Sequence, residues 1–188
     1  TGVQTCALPI SFAFTDDVDI GPDGKIYFTD ASSKYGIHDY RMDLMEHRSW
    51  GRLIMHDPKS GLTGTLMGGL YFANGVAVSP DGDFVLVNET SAYRIQKYWL
   101  KGEKAGQAET IMENLPGFPD GISSNGKGIF WLALPALRKD IIDNCPGLKI
   151  IGRGGVGMDN IDVEYANEKG VKVINTPAAS SGSVAELV

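Results

Sequence analysis

The stretch FANGVAVSPDGDFVLVNET (72–90) decides how this chain is read. It opens on an aromatic residue with Asn74 two places on and runs through alternating β-branched residues. It then turns at Pro80, Asp81 and Gly82 and returns as FVLVNE. The pattern is that of a β-hairpin, in which Asp-Gly supplies the positive φ of the turn and the alternation supplies two half-buried strands. The same grammar stands on either side. Phe14-Thr-Asp-Asp-Val leads to Pro22, Asp23, Gly24 and KIYFTD, while Phe118-Pro-Asp-Gly-Ile leads to Asn125, Gly126 and GIFWLAL. Each copy places Asp or Asn two residues after its aromatic, as Asp16, Asn74 and Asp120.

Two further strands, RLIMHD (52–57) and RIQKYWL (94–100), complete four-stranded units. The turns repeat at 58 residues from Asp23 to Asp81 and at 44 from Asp81 to Asn125. These steps bracket the length of a β-propeller blade. The longer step contains a polar insertion, Ser32 to Trp50, expected to be a loop at the blade top. Its histidines His38 and His47, with His56 beyond, recur nine apart, a spacing that suits neither one helix face nor a zinc site, and they read as solvated loop residues.

Composition narrows the function. The 188 residues carry 17 Lys+Arg against 23 Asp+Glu, a net charge of -6, which argues against a nucleic-acid or anionic-membrane surface as the main role. Two distant cysteines, Cys6 and Cys145, suggest neither a disulfide framework nor a zinc knuckle. Glycine, at 24 residues, is about twice its ordinary usage and favours turn-rich β structure. The opening TGVQTCALPI (1–10) resembles the translation of a short-read sequencing adapter, so it is expected to be non-native and Cys6 uninformative.

Residues 11–136 resemble the strictosidine synthase-like proteins, relatives of the gluconolactonase and paraoxonase six-bladed propellers. The resemblance is carried by FANGVAVSPDGDFVLVNET, RIQKYWLKGEKAG and GFPDGISSNGKGIFWLAL. It implies about two and a half blades of a six-bladed propeller whose first strands line a central channel. Asp16, Asp17, Asn74 and Asp120 are then expected to point oxygens toward one axis. Such all-oxygen donors suit a hard divalent cation, with calcium favoured. The resemblance matches Asn74 and Asp120 to metal-ligating positions of the gluconolactonase and paraoxonase branch, and Asp16 with Asp17 to an Asn-Asp pair there. The competing reading is that these residues only stabilise turns and strand ends.

After Pro135 the grammar changes to alternating helix and strand. KDIIDNCPGL reads as a helix, LKIIG and VKVIN as parallel strands, and IDVEYANEK as a helix capped by Asn160 or Asp159 and stopped by Gly170. Ser183 and Glu186 form a capping-box signature for a last helix. Residues 137–188 resemble D-3-phosphoglycerate dehydrogenase, of the D-isomer-specific 2-hydroxyacid dehydrogenases, through IIGRGGVGMDNIDVEYANEKGVKVINTPAASSGSVAELV. The resemblance implies a small α/β, flavodoxin-like piece of the substrate domain. In it Arg153, Gly154 and Gly155 would face the substrate and Val156 the nicotinamide of NAD. Gly152-x-Gly154-x-x-Gly157 is not read as a dinucleotide fingerprint, because no acidic residue ends the next strand.

The expectation is therefore a mainly β chimeric fragment: an adapter-like leader, a partial propeller and a partial dehydrogenase domain. It carries no assignable catalytic residue, since no His follows His56. The parent activities would be a propeller hydrolase or lyase, or the NAD-dependent oxidation of 3-phosphoglycerate in serine biosynthesis. Small-molecule substrates, no nucleic acid, no membrane, a cytoplasmic setting and self-association through exposed strand edges complete the reading. An active propeller hydrolase with an appendage, a dehydrogenase with a replaced start, and a binding module compete with it.

Overall fold

The computed structural model describes residues 11–115, 117–134, 142–143, 148–153 and 161–175. These separate into two compact units, one holding the strands up to residue 133 and the other residues 114–118 and the chain from residue 134. The adapter-like leader lies outside the described residues.

The first unit is built from two antiparallel four-stranded sheets and a hairpin. Sheet one has the order β1 (Phe14–Ile20), β2 (Ile26–Ser32), β3 (Gly51–Asp57), β4 (Leu62–Leu70). Sheet two repeats that plan with β5 (Ala73–Val78), β6 (Phe84–Glu89), β7 (Arg94–Trp99) and β8 (Ala108–Met112). The hairpin pairs β9 (Ile122–Ser124) with β10 (Phe130–Leu132), a shorter return strand than GIFWLAL suggests.

The turns form for the reason read from their residues. Gly24, Gly82 and Gly126 have φ of 83°, 68° and 73°. Beside them Asp23, Asp81 and Asn125 each accept a backbone N–H two residues on, from Lys25, Asp83 and Lys127, at 3.1, 3.1 and 2.8 Å. The sheets pack face to face through Tyr27, Leu53, Leu70, Val76, Val78, Val85 and Val87. Burying each such aliphatic side chain contributes roughly 1.5–3 kcal/mol before entropy is counted.

A second repeated device closes each sheet. The carboxylate at the end of its second strand, Asp30 or Glu89, is fully buried and ion-paired to the Arg opposite it on the third strand, Arg52 or Arg94. The same carboxylates accept the backbone N–H of Phe14 and of Tyr71, pinning the entry to each first strand.

The insertion is not wholly a loop. It holds helix α1 (Tyr40–Glu46), ended by His47 at a left-handed φ of 48°. Asp43, on its buried face, accepts a hydrogen bond from Ser32 Oγ at 2.5 Å, and burial pushes its carboxyl above the usual range. Tyr40 packs against Phe14 and Phe72, ring centroids 6.2 and 6.3 Å away. His38 and His47 are exposed; His56, by contrast, lies on β3, its Nδ1 2.8 Å from Thr63 Oγ1.

The second unit contains a parallel pair, β11 (Ile150–Arg153) and β12 (Lys172–Asn175), joined through helix α2 (Val163–Glu168). Its core is Ile142, Ile151, Ile161, Ala166 and Val171. The cap of α2 is Asp162, which accepts the N–H of Tyr165 at 3.1 Å, rather than Asn160 or Asp159. The helix starts at Val163, two residues into IDVEYANEK, so the cap moves with it. Gly170, at φ 76°, follows the helix end. Of KDIIDNCPGL residues 142–143 and 148 are described, the first two helical and Leu148 not; the capping box at Ser183 lies outside the described residues.

Candidate functional site

Two of the three Asp/Asn positions share one backbone peculiarity. The pairing of β1 with β2 breaks register between Thr15 and Val18, around Asp16 and Asp17, and that of β5 with β6 breaks between Ala73 and Val76, around Asn74 and Gly75. Asp120 precedes the short β9, its N–H donating to the carbonyl of Ala133 at 3.0 Å. Bulges of this kind re-aim side chains at the ends of strands, and here they recur at one place in the repeat.

The first strands are joined across sheets. From β1, Asp17 Oδ2 accepts the N–H of Val76 at 2.9 Å and Asp19 Oδ2 that of Val78 at 2.8 Å, so carboxylates take the place of a strand partner along β5. On the other side, Gly75 N–H donates to the carbonyl of Asp120 at 3.0 Å. A Cβ at Gly75 would lie 2.6 Å from Ile122 N and 2.8 Å from Asn88 Nδ2, which is why only glycine fits this approach.

Asp16 and Asp120 lie close enough to sense each other. Water reaches Asp16, yet surrounding atoms desolvate its carboxyl, and the charges of Asp120 and Asp17 add to that; together they push its pKa up to about 6. Asp17 has both carboxylate oxygens committed to backbone, Oδ1 to Val18 and Oδ2 to Val76, so it serves the joint between sheets and contributes charge to the site. The carbonyls of Asn74 and Asp120 are also committed, the first accepting from Thr29 Oγ1 at 2.6 Å and the second from Asn88 Nδ2 at 2.5 Å. What these two residues can offer a ligand is therefore their side-chain oxygens.

The donor chemistry fits a hard cation. It is all oxygen, and it gathers carboxylates whose mutual repulsion a divalent ion would relieve. Among the described residues, no group of three His, Cys, Asp or Glu side chains could hold a metal ion.

In the second unit Arg153 ends β11 opposite Asn175, while Gly154, Gly155 and Val156 lie outside the described residues. No helix among the described residues is long and apolar enough to cross a membrane. Reading the residues did not single out Thr29, Asn88 or Asp19. Superposing the ends of the second strands, as was done for the first, would have paired Thr29 with Asn88.

Residues 16–103 match the strictosidine synthase family, and residues 104–188 match the catalytic domain of the D-isomer specific 2-hydroxyacid dehydrogenases. Strictosidine synthase-like protein 13 of Arabidopsis thaliana is 40% identical over 146 residues, 76% of this chain and 36% of its own length. Adipocyte plasma membrane-associated protein of Gallus gallus is 43% identical over 127 residues, 67% of this chain and 31% of its own length. The chain thus spans about a third of the length of these relatives. A solved gluconolactonase of Xanthomonas campestris superposes with a TM-score of 0.50 at 20% identity, covering 65% of this chain and 42% of that one. The strands fold as propeller sheets. The two family matches meet between residues 103 and 104, yet pairing of β8 with β7 carries the second sheet on to Met112.

Proposed function

We propose that residues 11–136 are part of a strictosidine synthase-like, gluconolactonase-type propeller whose intact form is a metal-dependent hydrolase or lyase acting on a small molecule. Asp16, Asn74 and Asp120 would hold a divalent cation, calcium by preference, and Asp17 would add to the negative field while tying β1 to β5. The observation that carries this reading is the raised pKa of Asp16, caused in part by the charges of Asp120 and Asp17. A bound cation would polarise a substrate oxygen. Without a cation the Asp16 carboxyl is held at about 6, and a bound cation would relieve that repulsion and hold it as the carboxylate.

Residues 137–188 are proposed to derive from a dehydrogenase substrate domain of flavodoxin-like plan, joined non-natively, with the chain as a whole inactive. The parallel pair β11 and β12 with α2 between them supports that source, as does the family match. On this reading Arg153, Gly154 and Gly155 faced a hydroxy acid and Val156 the NAD ring in the parent. Self-association through open strand edges belongs to the same proposal.

Calorimetric titration with calcium is the test. Three side chains predict weak binding, with a dissociation constant on the order of 10⁻⁴–10⁻³ M, lost in Asn74→Ala and in Asp120→Ala. No heat at several times that concentration, or binding indifferent to both substitutions, would overturn the cation reading. For the second segment, 3-phosphoglycerate and NAD are expected to yield no NADH; turnover abolished by Arg153→Ala would refute inactivity.

A further inference from the structure

We propose that Thr29 and Asn88 are positioning residues, each reaching from the second strand of one sheet to fix the backbone of a candidate cation ligand on the next. Thr29 acts on Asn74 and Asn88 on Asp120. The functional meaning of this pair rests on the cation reading above; the mechanical claim does not.

Both side chains are fully buried, and each follows its sheet's second-strand pairing to the same place, one residue before the ion-paired Asp30 or Glu89. The chemistry differs while the target does not. Thr29 has one hydroxyl hydrogen, and with Asn74 O at 2.6 Å and Asp17 O at 3.4 Å that hydrogen goes to Asn74. Its oxygen in turn accepts the N–H of Asp17 at 3.1 Å, so one hydroxyl spans the bulge of β1 and the bulge of β5. Asn88 donates through Nδ2 to Asp120 O, 32 residues away, and that same carbonyl accepts from Gly75.

Asn74 lies at a register break; Asp120 lies ahead of a strand, its N–H bonded to the carbonyl of Ala133 and its own carbonyl to Gly75 and Asn88 of the neighbouring sheet. Fixing the carbonyl fixes the peptide plane, and the peptide plane sets where the side chain starts. Asn88 also keeps its amide at a cost, because Oδ1 is buried without a partner. A small apolar residue would avoid that cost, so the donor half of the amide is what the site requires. Groups that orient a ligand in this way change metal affinity without touching the metal.

The experiment pairs two readouts on the full chain and its variants Thr29→Val, Thr29→Ser and Asn88→Leu. Calcium affinity is expected to fall about ten-fold in Thr29→Val and Asn88→Leu, and to stay near the parent value in Thr29→Ser, which keeps the hydroxyl. Amide hydrogen exchange at Gly75, whose N–H shares the Asp120 carbonyl, is expected to speed up about ten-fold in Asn88→Leu relative to the amides of Val85 and Val87. Unchanged relative exchange at Gly75, or uniform acceleration across the sheet, would overturn the proposal, as would a Thr29→Ser variant that binds as poorly as Thr29→Val. If the parent chain takes up no calcium, the cation reading falls by itself, and exchange at Gly75 alone decides whether Asn88 holds Asp120.

Discussion

β1 and β5 occupy the same place in successive sheets and carry the same bulge, yet they end in opposite environments. Val76 and Val78 of β5 are 2% and 5% exposed, whereas Val18 and Ile20, their counterparts on β1, are 60% and 63% exposed. The two strands share these apolar positions, although β1 has Asp17 and Asp19 where β5 has Gly75 and Ala77. The difference lies in what stands beside each strand: β5 is in contact with β1 and β2 on one side and with β9 on the other. A first strand becomes core through its neighbouring sheets, so its burial is written in residues outside it.

The largest expected effect tests the part that is the same in both sheets. Removing the cation from either buried pair, by Arg52→Ala or Arg94→Ala, leaves a fully buried carboxylate uncompensated and is expected to cost about 3 kcal/mol. Urea denaturation of the two variants should give similar losses. A large cost in one sheet and none in the other would break the equivalence.

The next prediction sharpens the contrast between the strands. Val76→Ala should cost about 2 kcal/mol and Val18→Ala under about 0.5 kcal/mol, read from the same denaturation midpoints. Equal losses would mean that β1 is covered in solution, by a second molecule or otherwise.

The smallest effect concerns Asp16, on the exposed strand. Its folded pKa, about 6, lies above the ordinary carboxylate value of 3.8, so ionising it costs more in the folded state than in the unfolded one. The folded state binds the proton more tightly, so stability falls as pH rises from about 4 to about 6 and is level with respect to this group above that. Asp16→Asn should therefore melt higher than the parent at pH 7, with the gap closing as pH falls toward 4. A gap that widens on acidification would show that Asp16 is stabilised in the fold as the anion.

What the residues made legible was whatever is encoded within a few positions. Asp23, Asp81 and Asn125 announce their turns because the hydrogen bonds that make them run two residues forward. The parallel pairing of β11 with β12 follows from two short apolar runs flanking a helix. The recurrence of Asp16, Asn74 and Asp120 was equally visible. The partners that fix them were not, since Thr29 meets Asn74 across 45 positions and Asn88 meets Asp120 across 32. Helix α1 was missed for a related reason: its seven residues lack a side-chain cap, and its hold on the sheet comes from Ser32 and from Tyr40 packing on Phe14 and Phe72. Asp17 reads with Asp16 as a candidate cation ligand and Asp19 is not singled out, because the N–H groups of Val76 and Val78 that meet them lie 59 positions away.

That last joint has a sense of direction. β1 offers only acceptors to its neighbour, the carboxylates of Asp17 and Asp19, and β5 answers with donors from its backbone. Two copies of the β1 face brought together would set carboxylate against carboxylate, with no N–H to receive either and like charges opposed. At this joint the β1 face can therefore meet the β5 face but not a second copy of itself. The order of these two sheets is set by the unequal chemistry of two faces that look alike in outline, one giving carboxylates and the other backbone N–H groups.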